Sequence, residues 1–435
     1  MAKGIGHQLA KIAAFSSGLR LLQVGLSLVV SILLTRLLGV DGYGAYAYSI
    51  SWVLLLNILA SLGCQGLLVR EIAANREQEK WGLIRGLLQW TNSIVLLCSL
   101  AVGGLFALAI WQVIQTPDPQ VLYTLLIALA LIPFTALTIV RQAALQGFKR
   151  VIQGQLSEAI IQPVAFIVFL SLAYLFFGDL SPSQAMAWKV ASTILAFLFG
   201  IWALLRVIPS DVKQATAEYD VKRWLPSLLS LLFMAGIGTI YTRTDTIMLG
   251  MISGTGTVGL YAIALRLANF ILMSQQVGAS VLGPHIASLY AKGETGRLQE
   301  LTTKSIRAVV AYALPVTLIF IFLGDRLLSI FGSDFSEAHT VLIILSIGKL
   351  LNVSTGAVGL LLNMTHHEKD NAMVVGVSAV LNVGLNLLLI PQFGAVGAAI
   401  ATISASVTAN VWLATLVYKR LGIRCTVFSG VSLSS

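Results

Sequence analysis

Charged residues are scarce in this sequence. Only 11% of its 435 residues are Asp, Glu, Lys or Arg, whereas 57% are hydrophobic, and the mean hydropathy is +0.88. Soluble domains carry about 25% charged residues, so the composition argues against a soluble protein. Apolar runs recur along the whole length, and each reaches the roughly 20 residues that a helix needs to cross a bilayer. The composition therefore predicts an all-α polytopic membrane protein.

Reactive side chains are also few. The three cysteines, Cys64, Cys98 and Cys425, have no paired spacing, which favours packing roles over a disulfide or a metal site. The five histidines lie in predicted loops, tails or a span end, and neither a Walker phosphate loop nor a paired-carboxylate motif is present. We therefore expect no catalytic residue, no metal and no cofactor. An integral-membrane transferase is the enzyme alternative.

Lysine and arginine are distributed unevenly along the chain. The net charge is +10, but the excess lies in short connections beside predicted spans, so it does not indicate a nucleic-acid partner. Twelve spans are predicted, and nearly all basic connections fall on one side of the membrane, with Arg326 on the other. Basic loops stay in the cytoplasm, so both termini are expected to be cytoplasmic.

One stretch occurs twice. Ile32–Ala47 reads ILLTRLLGVDGYGAYA and Ile247–Ala262 reads IMLGMISGTGTVGLYA, at an offset of 215 residues, about half the chain. Glycines permit backbone angles that other residues resist. We expect those in the two outer turns, Gly39 and Gly44 with Gly254 and Gly259, to lie at an outer gate.

The repeat predicts two lobes of six spans each. Residues 1–208 would form the first lobe, the polar segment 209–223 a cytoplasmic linker, and 224–435 the second lobe with a short tail. Because both halves would begin on the same side, the lobes would be parallel repeats, a transporter signature.

Polar and charged residues inside predicted spans mark candidate sites, because such groups are costly in lipid. They follow helical spacing and form stripes that would line a hydrated cavity: Arg20 and Gln23 in the first span, Arg243 in the seventh, Arg266 and Asn269 in the eighth, and Lys349 in the tenth. The alternative is that they join helices or extend to the membrane surface. A shorter stripe in the eleventh span, Ser378, Asn382 and Asn386, is interpreted first as packing.

The charges inside the spans are mainly positive. Asp245 is the negatively charged residue set against these cations. It would either pair with a cation such as Arg266 or Arg36, or couple transport to protons or sodium. A cationic interior should attract an anion. Arginine suits phosphate because its planar fork makes two parallel hydrogen bonds and keeps its charge.

At these residues the chain resembles the polysaccharide-type (Wzx-like) flippases of the multidrug/oligosaccharidyl-lipid/polysaccharide exporter superfamily. The resemblance covers nearly the whole chain. Its motifs are LLTRLLGVDGYGAYAYSISW (Leu33–Trp52), LLVREIA (Leu67–Ala73), RTDTIMLGMISGTGTVGLYAIALRL (Arg243–Leu267), PHIASLY (Pro284–Tyr290) and LNLLLIPQFGAVGAAIAT (Leu385–Thr402). It implies two six-helix lobes around a central cavity.

The resemblance also implies a function. An undecaprenyl-pyrophosphate-linked oligosaccharide would move from the inner to the outer leaflet of a prokaryotic plasma membrane. Expected partners are this lipid-linked anionic glycan, membrane lipid and a polysaccharide polymerase or assembly proteins, and the protein is expected to be a monomer. A lipid II flippase is an alternative within transport, and a non-transporting scaffold of polysaccharide machinery is an alternative of another class.

Overall fold

The computed structural model describes residues 2–112 and 118–426. Side chains are described there except those of 2–14, 16, 17, 229, 230, 233–235, 277, 280 and 281. Within these residues the regular structure is helical, with no β-strand. The chain divides into two compact units, Met1–Thr239 and Ile240–Ser435.

Within its described residues, 2–112 and 118–239, the first unit contains nine helices and the start of a tenth. They are α1 (Ala2–Ser61), α2 (Cys64–Glu77), α3 (Trp81–Gln112), α4 (Pro119–Leu129), α5 (Leu131–Gly147), α6 (Val151–Leu156), α7 (Gln162–Phe177), α8 (Pro182–Val207), α9 (Ser210–Gln214) and α10 (Val221–Ser253). A π-helical turn, Ser157–Ile161, joins α6 to α7. Helix α5 packs against α1, α2, α3 and α8, so its buried side chains form much of the core of this unit.

The second unit contains the end of α10 and six further helices. They are α11 (Thr255–Ala268), α12 (Met273–Ala291), α13 (Thr295–Ser329), α14 (His339–Ser354), α15 (Val358–Met364) and α16 (Glu368–Leu421), with 3₁₀ turns at Asn269–Leu272 and Ser333–Ala338. Helix α14 packs between α11, α13 and α16.

Long apolar helices confirm a multi-pass membrane protein. Nine segments of the described chain are long and apolar enough to cross a membrane. Two of them, Gly18–Ser61 and Glu368–Leu421, have 44 and 54 residues, about twice the length that one crossing needs. Large apolar side chains stay exposed on these helices, including Trp111, Phe176 and Phe322, as expected of a surface that faces lipid. Twelve spans, parallel six-helix lobes and cytoplasmic termini stay predictions.

The sequence repeat has a local structural counterpart. Gly39 interrupts α1 with φ 68° and ψ −172°, and Gly254, which precedes α11, has φ 85° and ψ 172°. Only glycine occupies this region readily, because a Cβ atom would be strained there. Positions 215 residues apart thus make the same unusual turn. Gly44 and Gly259 are buried in the helices that follow, and the gating role of all four glycines stays a prediction.

The predicted linker packs against α3. The Arg85 guanidinium donates from Nη1 to the carbonyl oxygens of Lys213 and Ala215, both at 2.7 Å. At Gly86 the backbone approaches so closely that an added Cβ would lie 1.8 Å from the Glu218 carbonyl oxygen. The division between the two units falls in α10, after this segment. The lobe limits 1–208 and 224–435 stay a prediction.

Candidate functional site

A buried carboxylate lies at the centre of a polar cluster in the second unit. Asp245 of α10 is 2% exposed. Tyr261 of α11 donates its hydroxyl to Asp245 Oδ2 at 2.5 Å, and Thr402 of α16 donates to the same oxygen at 3.3 Å. The Thr246 backbone N–H donates to Oδ1 at 2.7 Å. These bonds offset the high cost of burying a charged group in an apolar helix bundle.

Two asparagines of α16 extend this cluster. Asn382 Nδ2 donates to Thr402 Oγ1 at 3.5 Å, and Asn386 Nδ2 donates to Asn382 Oδ1 at 3.0 Å. Both side chains are at most 1% exposed. Asn386 Oδ1 accepts no hydrogen bond from the described residues, although buried acceptors are normally satisfied. This stripe, interpreted from sequence as packing, therefore belongs to the surroundings of Asp245.

Three of the predicted site cations lie in the same unit. Arg243 is partly buried and interacts electrostatically with both Asp245 and Arg266. Lys349 of α14, also partly buried, interacts electrostatically with Asp245. Hydroxyls of Tyr261, Thr402 and Thr246 and the backbone amide of Thr246 donate hydrogen bonds to Asp245. Two cations, Arg243 and Lys349, thus lie near Asp245, and Arg266 lies near Arg243.

Other predicted site residues are more exposed. Arg20 and Gln23 are exposed on α1 of the first unit, and Asn269 is exposed where α11 passes into a 3₁₀ turn. Their predicted place in one cavity with the cations of the second unit stays a prediction.

The sequence analysis missed Tyr261 and Thr402. Both residues lie within the sequence motifs that resemble the flippase family. Tyr261 corresponds to Tyr46 at the repeat offset of 215 residues. A tyrosine or threonine in an apolar span is, however, usually a packing residue or bonds its own helix. Only the approach of α10, α11 and α16 shows that these two hydroxyls meet one carboxylate.

A second polar group lies in the first unit. Glu158, on the π-helical turn, interacts electrostatically with Lys189 of α8, and Gln162 donates to Thr193 Oγ1 at 2.7 Å. The Arg141 guanidinium lies 4.2 Å from the centre of the Phe197 ring. These interactions connect α5, α7 and the π-helical turn with α8.

Oxygen atoms dominate the surroundings of Asp245. A carboxylate, two hydroxyls and two carboxamides can hold a proton or a hard cation, whose preferred ligands are oxygens. Within 2–112 and 118–426 no group of three or more His, Cys, Asp or Glu could hold a metal ion.

Apolar spans, helices interrupted by glycine and buried charges together are features of a multi-pass membrane protein. The structure is similar to an inward-facing multidrug transporter of the MATE family, with a TM-score of 0.77 and 13% identity over 92% of this chain and 94% of that one. It is also similar to the lipid II flippase MurJ, with a TM-score of 0.71 and 16% identity over 94% of this chain and 87% of MurJ. At such identities these likenesses establish the fold.

The sequence then gives the family. The family model for polysaccharide biosynthesis proteins matches residues 9–290, and the MatE model matches 226–388. AglR of Haloferax volcanii, named a "probable flippase", is 26% identical over 411 residues, which are 91% of this chain and 80% of AglR. The chain belongs to the polysaccharide biosynthesis protein family. Its relatives are transporters and flippases, which agrees with a protein that is not an enzyme.

Proposed function

We propose that this protein moves a lipid-linked oligosaccharide, carried on undecaprenyl pyrophosphate, from the inner to the outer leaflet of a prokaryotic plasma membrane. Two lobes of six spans would open alternately to the two sides, with both termini in the cytoplasm. The family assignment and the likeness to AglR support a flippase. The observation that carries the anionic substrate is the placement of Arg243 and Lys349 near the buried Asp245, with Arg266 near Arg243.

The net positive charge of the site favours a substrate that carries phosphate. Arg243, Arg266 and Lys349 outnumber Asp245, the one acid of this cluster. Charge-assisted bonds to phosphate are roughly twice as strong as neutral ones. Hydrogen bonds to these cations can therefore replace part of the hydration that a pyrophosphate loses when it leaves the membrane surface. The polyprenyl tail stays in lipid.

The experiment is a flipping assay with the purified chain in proteoliposomes. The probe is an undecaprenyl-pyrophosphate-linked oligosaccharide with a fluorescent sugar, whose leaflet is read from quenching by an impermeant reductant. Each lost charge-assisted bond costs about 1.5–3 kcal/mol, so we expect Arg20→Ala/Arg243→Ala/Arg266→Ala to slow flipping at least about tenfold. Arg206→Ala is the control, because that guanidinium lies 4.1 Å from the ring of Trp202 in the first unit. Flipping at the wild-type rate by the triple variant would refute the cationic site.

Lipid II is the second candidate substrate, and the fold shared with MurJ supports it. Both substrates carry pyrophosphate on a prenyl chain, so the cation cluster does not separate them. The same proteoliposomes loaded with fluorescent lipid II give the comparison. Faster flipping of lipid II than of the oligosaccharide would favour the cell-wall role, and movement of neither lipid would favour the scaffold role.

For Asp245 we propose a coupling role, in which a proton or a sodium ion binds the carboxylate as the lobes change state. The hydroxyl oxygens of Tyr261 and Thr402, which contact the carboxylate, and the unsatisfied Asn386 Oδ1 further along the same network support this assignment. Asp245→Asn should abolish the stimulation of flipping by an imposed gradient, whereas Asp370→Asn, which breaks an ion pair with Arg420, should not. Separate proton and sodium gradients identify the ion. Equal stimulation of Asp245→Asn and wild type would exclude the coupling role.

A further inference from the structure

A further polar group of the second unit lies about one helical turn from the buried Asp245. Tyr241 precedes Asp245 by four residues on α10, and Ser406 follows Thr402 by four residues on α16. Residues four apart lie on the same face of a helix. The Tyr241 hydroxyl interacts with that of Ser406, and Asn352 Nδ2 of α14 donates to Ser406 Oγ at 2.9 Å. Three helices thus bring two hydroxyls and a carboxamide together.

This group, Tyr241, Asn352 and Ser406, is here named the Ser406 cluster, and it is more open than the acid beside it. Its three residues are partly exposed, whereas Asp245 is only 2% exposed. Within 2–112 and 118–426, Asn352 Oδ1 has no hydrogen-bond partner. Because polar groups are costly in lipid, an open polar face inside a span is expected to border water or a polar ligand.

A cation of the proposed anion site adjoins this cluster. Lys349 precedes Asn352 by three residues on α14, so the two side chains share a face of the helix. The side chains of Leu345 and Ser346, one turn before Lys349, have no exposed surface, whereas Asn352, one turn after it, is partly exposed. A ligand held by the Lys349 ammonium therefore has room on the side of the Ser406 cluster.

The chemistry of the proposed substrate determines what lies beside its phosphates. In a pyrophosphate-linked glycan the first sugar is bonded directly to the pyrophosphate, and the prenyl chain is bonded to the other end. Sugar hydroxyls both donate and accept hydrogen bonds, as do the hydroxyl and carboxamide groups of the cluster. A prenyl chain does neither. The Ser406 cluster therefore suits the sugar end of the substrate and not the lipid end.

We propose that Tyr241, Asn352 and Ser406 bind the first sugar of the lipid-linked glycan while Lys349 holds the pyrophosphate. The inference rests on the proposed function and adds a sugar subsite to the same site. A site built to hydrogen-bond a hydroxyl discriminates against a ligand that lacks it, because the polar groups of the site are then left unpaired. The cluster thereby distinguishes the glycan-bearing lipid from the same carrier without a sugar.

The test compares the binding of two lipids to the full-length protein in detergent micelles. The lipids are undecaprenyl pyrophosphate with an oligosaccharide and undecaprenyl pyrophosphate alone, and their Kd values are measured by microscale thermophoresis. We expect the wild-type protein to bind the glycan-bearing lipid more tightly. Asn352→Leu and, independently, Ser406→Ala should raise its Kd roughly three- to tenfold, as for the loss of a neutral hydrogen bond, without changing the Kd of the sugar-free lipid. Lys349→Ala should raise both.

Thr408→Ala is the control, because Thr408 is exposed on α16 and its hydroxyl donates to the carbonyl oxygen of Ser404 at 2.8 Å. Size-exclusion chromatography checks that each variant folds. If Asn352→Leu and Ser406→Ala change the Kd values of both lipids equally, or of neither, the sugar subsite is overturned. Equal Kd values of the two lipids for the wild-type protein would overturn it as well. Binding of both lipids by a wild-type protein that moves neither in the flipping assay would instead refute the proposed function.

Discussion

At the scale of the residue, the hydroxyl of Tyr261 is the closest partner of the buried Asp245 carboxylate. Tyr261 has no exposed surface, and its hydroxyl donates at 2.5 Å. Lys349 and Arg243 share the electrostatic surroundings of the carboxylate. Hydroxyl donors from other helices therefore satisfy the oxygens of this buried carboxylate.

Tyr261→Phe removes this donor while keeping the ring. A buried acceptor that loses its partner costs about 1–3 kcal/mol, so we expect a lower thermal unfolding midpoint in detergent and weaker gradient coupling. Tyr174→Phe is the control, because Tyr174 is 51% exposed on α7. Unfolding and coupling unchanged by Tyr261→Phe would show that Thr402 and Thr246 satisfy the carboxylate without it.

At the scale of the element, glycine determines where helices break and what can lie against them. Gly39 and Gly254 interrupt the helical path at equivalent positions of the repeat. Gly82 and Gly86, one helical turn apart on α3, leave room for the segment that follows α9. The first pair acts through its backbone angles, and the second pair acts through the absence of a side chain.

Gly86→Ala should release the segment that follows α9 from its contact with α3. The new Cβ would overlap the Glu218 carbonyl oxygen, and the bonds from Arg85 to Lys213 and Ala215 would then be strained or lost. We expect trypsin to cleave after Lys213 faster than in the wild-type protein. Gly103→Ala on the same helix meets no atom within 4 Å and should leave the cleavage rate unchanged. Equal rates for both variants would mean that the segment adapts to the methyl group.

At the scale of the whole molecule, the distribution of basic residues predicts the orientation in the membrane. Ser333 begins a 3₁₀ turn between α13 and α14, and Lys213 lies in α9. In a cysteine-free background, Ser333→Cys should react with an impermeant maleimide in intact cells, and Lys213→Cys only after permeabilisation. Reaction of Lys213→Cys in intact cells would contradict twelve spans with both termini inside.

The sequence by itself determined the class of the protein and much of its local structure. Few charges and long apolar runs leave only membrane-crossing helices, because each backbone polar group must be satisfied within its own helix in lipid. The repeat at an offset of 215 located Gly39 and Gly254, whose matching backbone angles are a local property of the chain. The motifs indicated the family, which the match over residues 9–290 then established.

Only the tertiary structure decided which polar groups meet. Helical periodicity places Asp245, Asn382 and Thr402 on faces of their own helices, but it does not say which faces touch. The contact of Asp245 with Thr402 joins residues 157 positions apart, and it exists because α10 and α16 pack within one unit. The same packing brought Asn382 and Asn386, read from sequence as packing residues, into the cluster of the buried acid. Burial makes such pairings strong, and burial is a property of the folded chain rather than of any one segment.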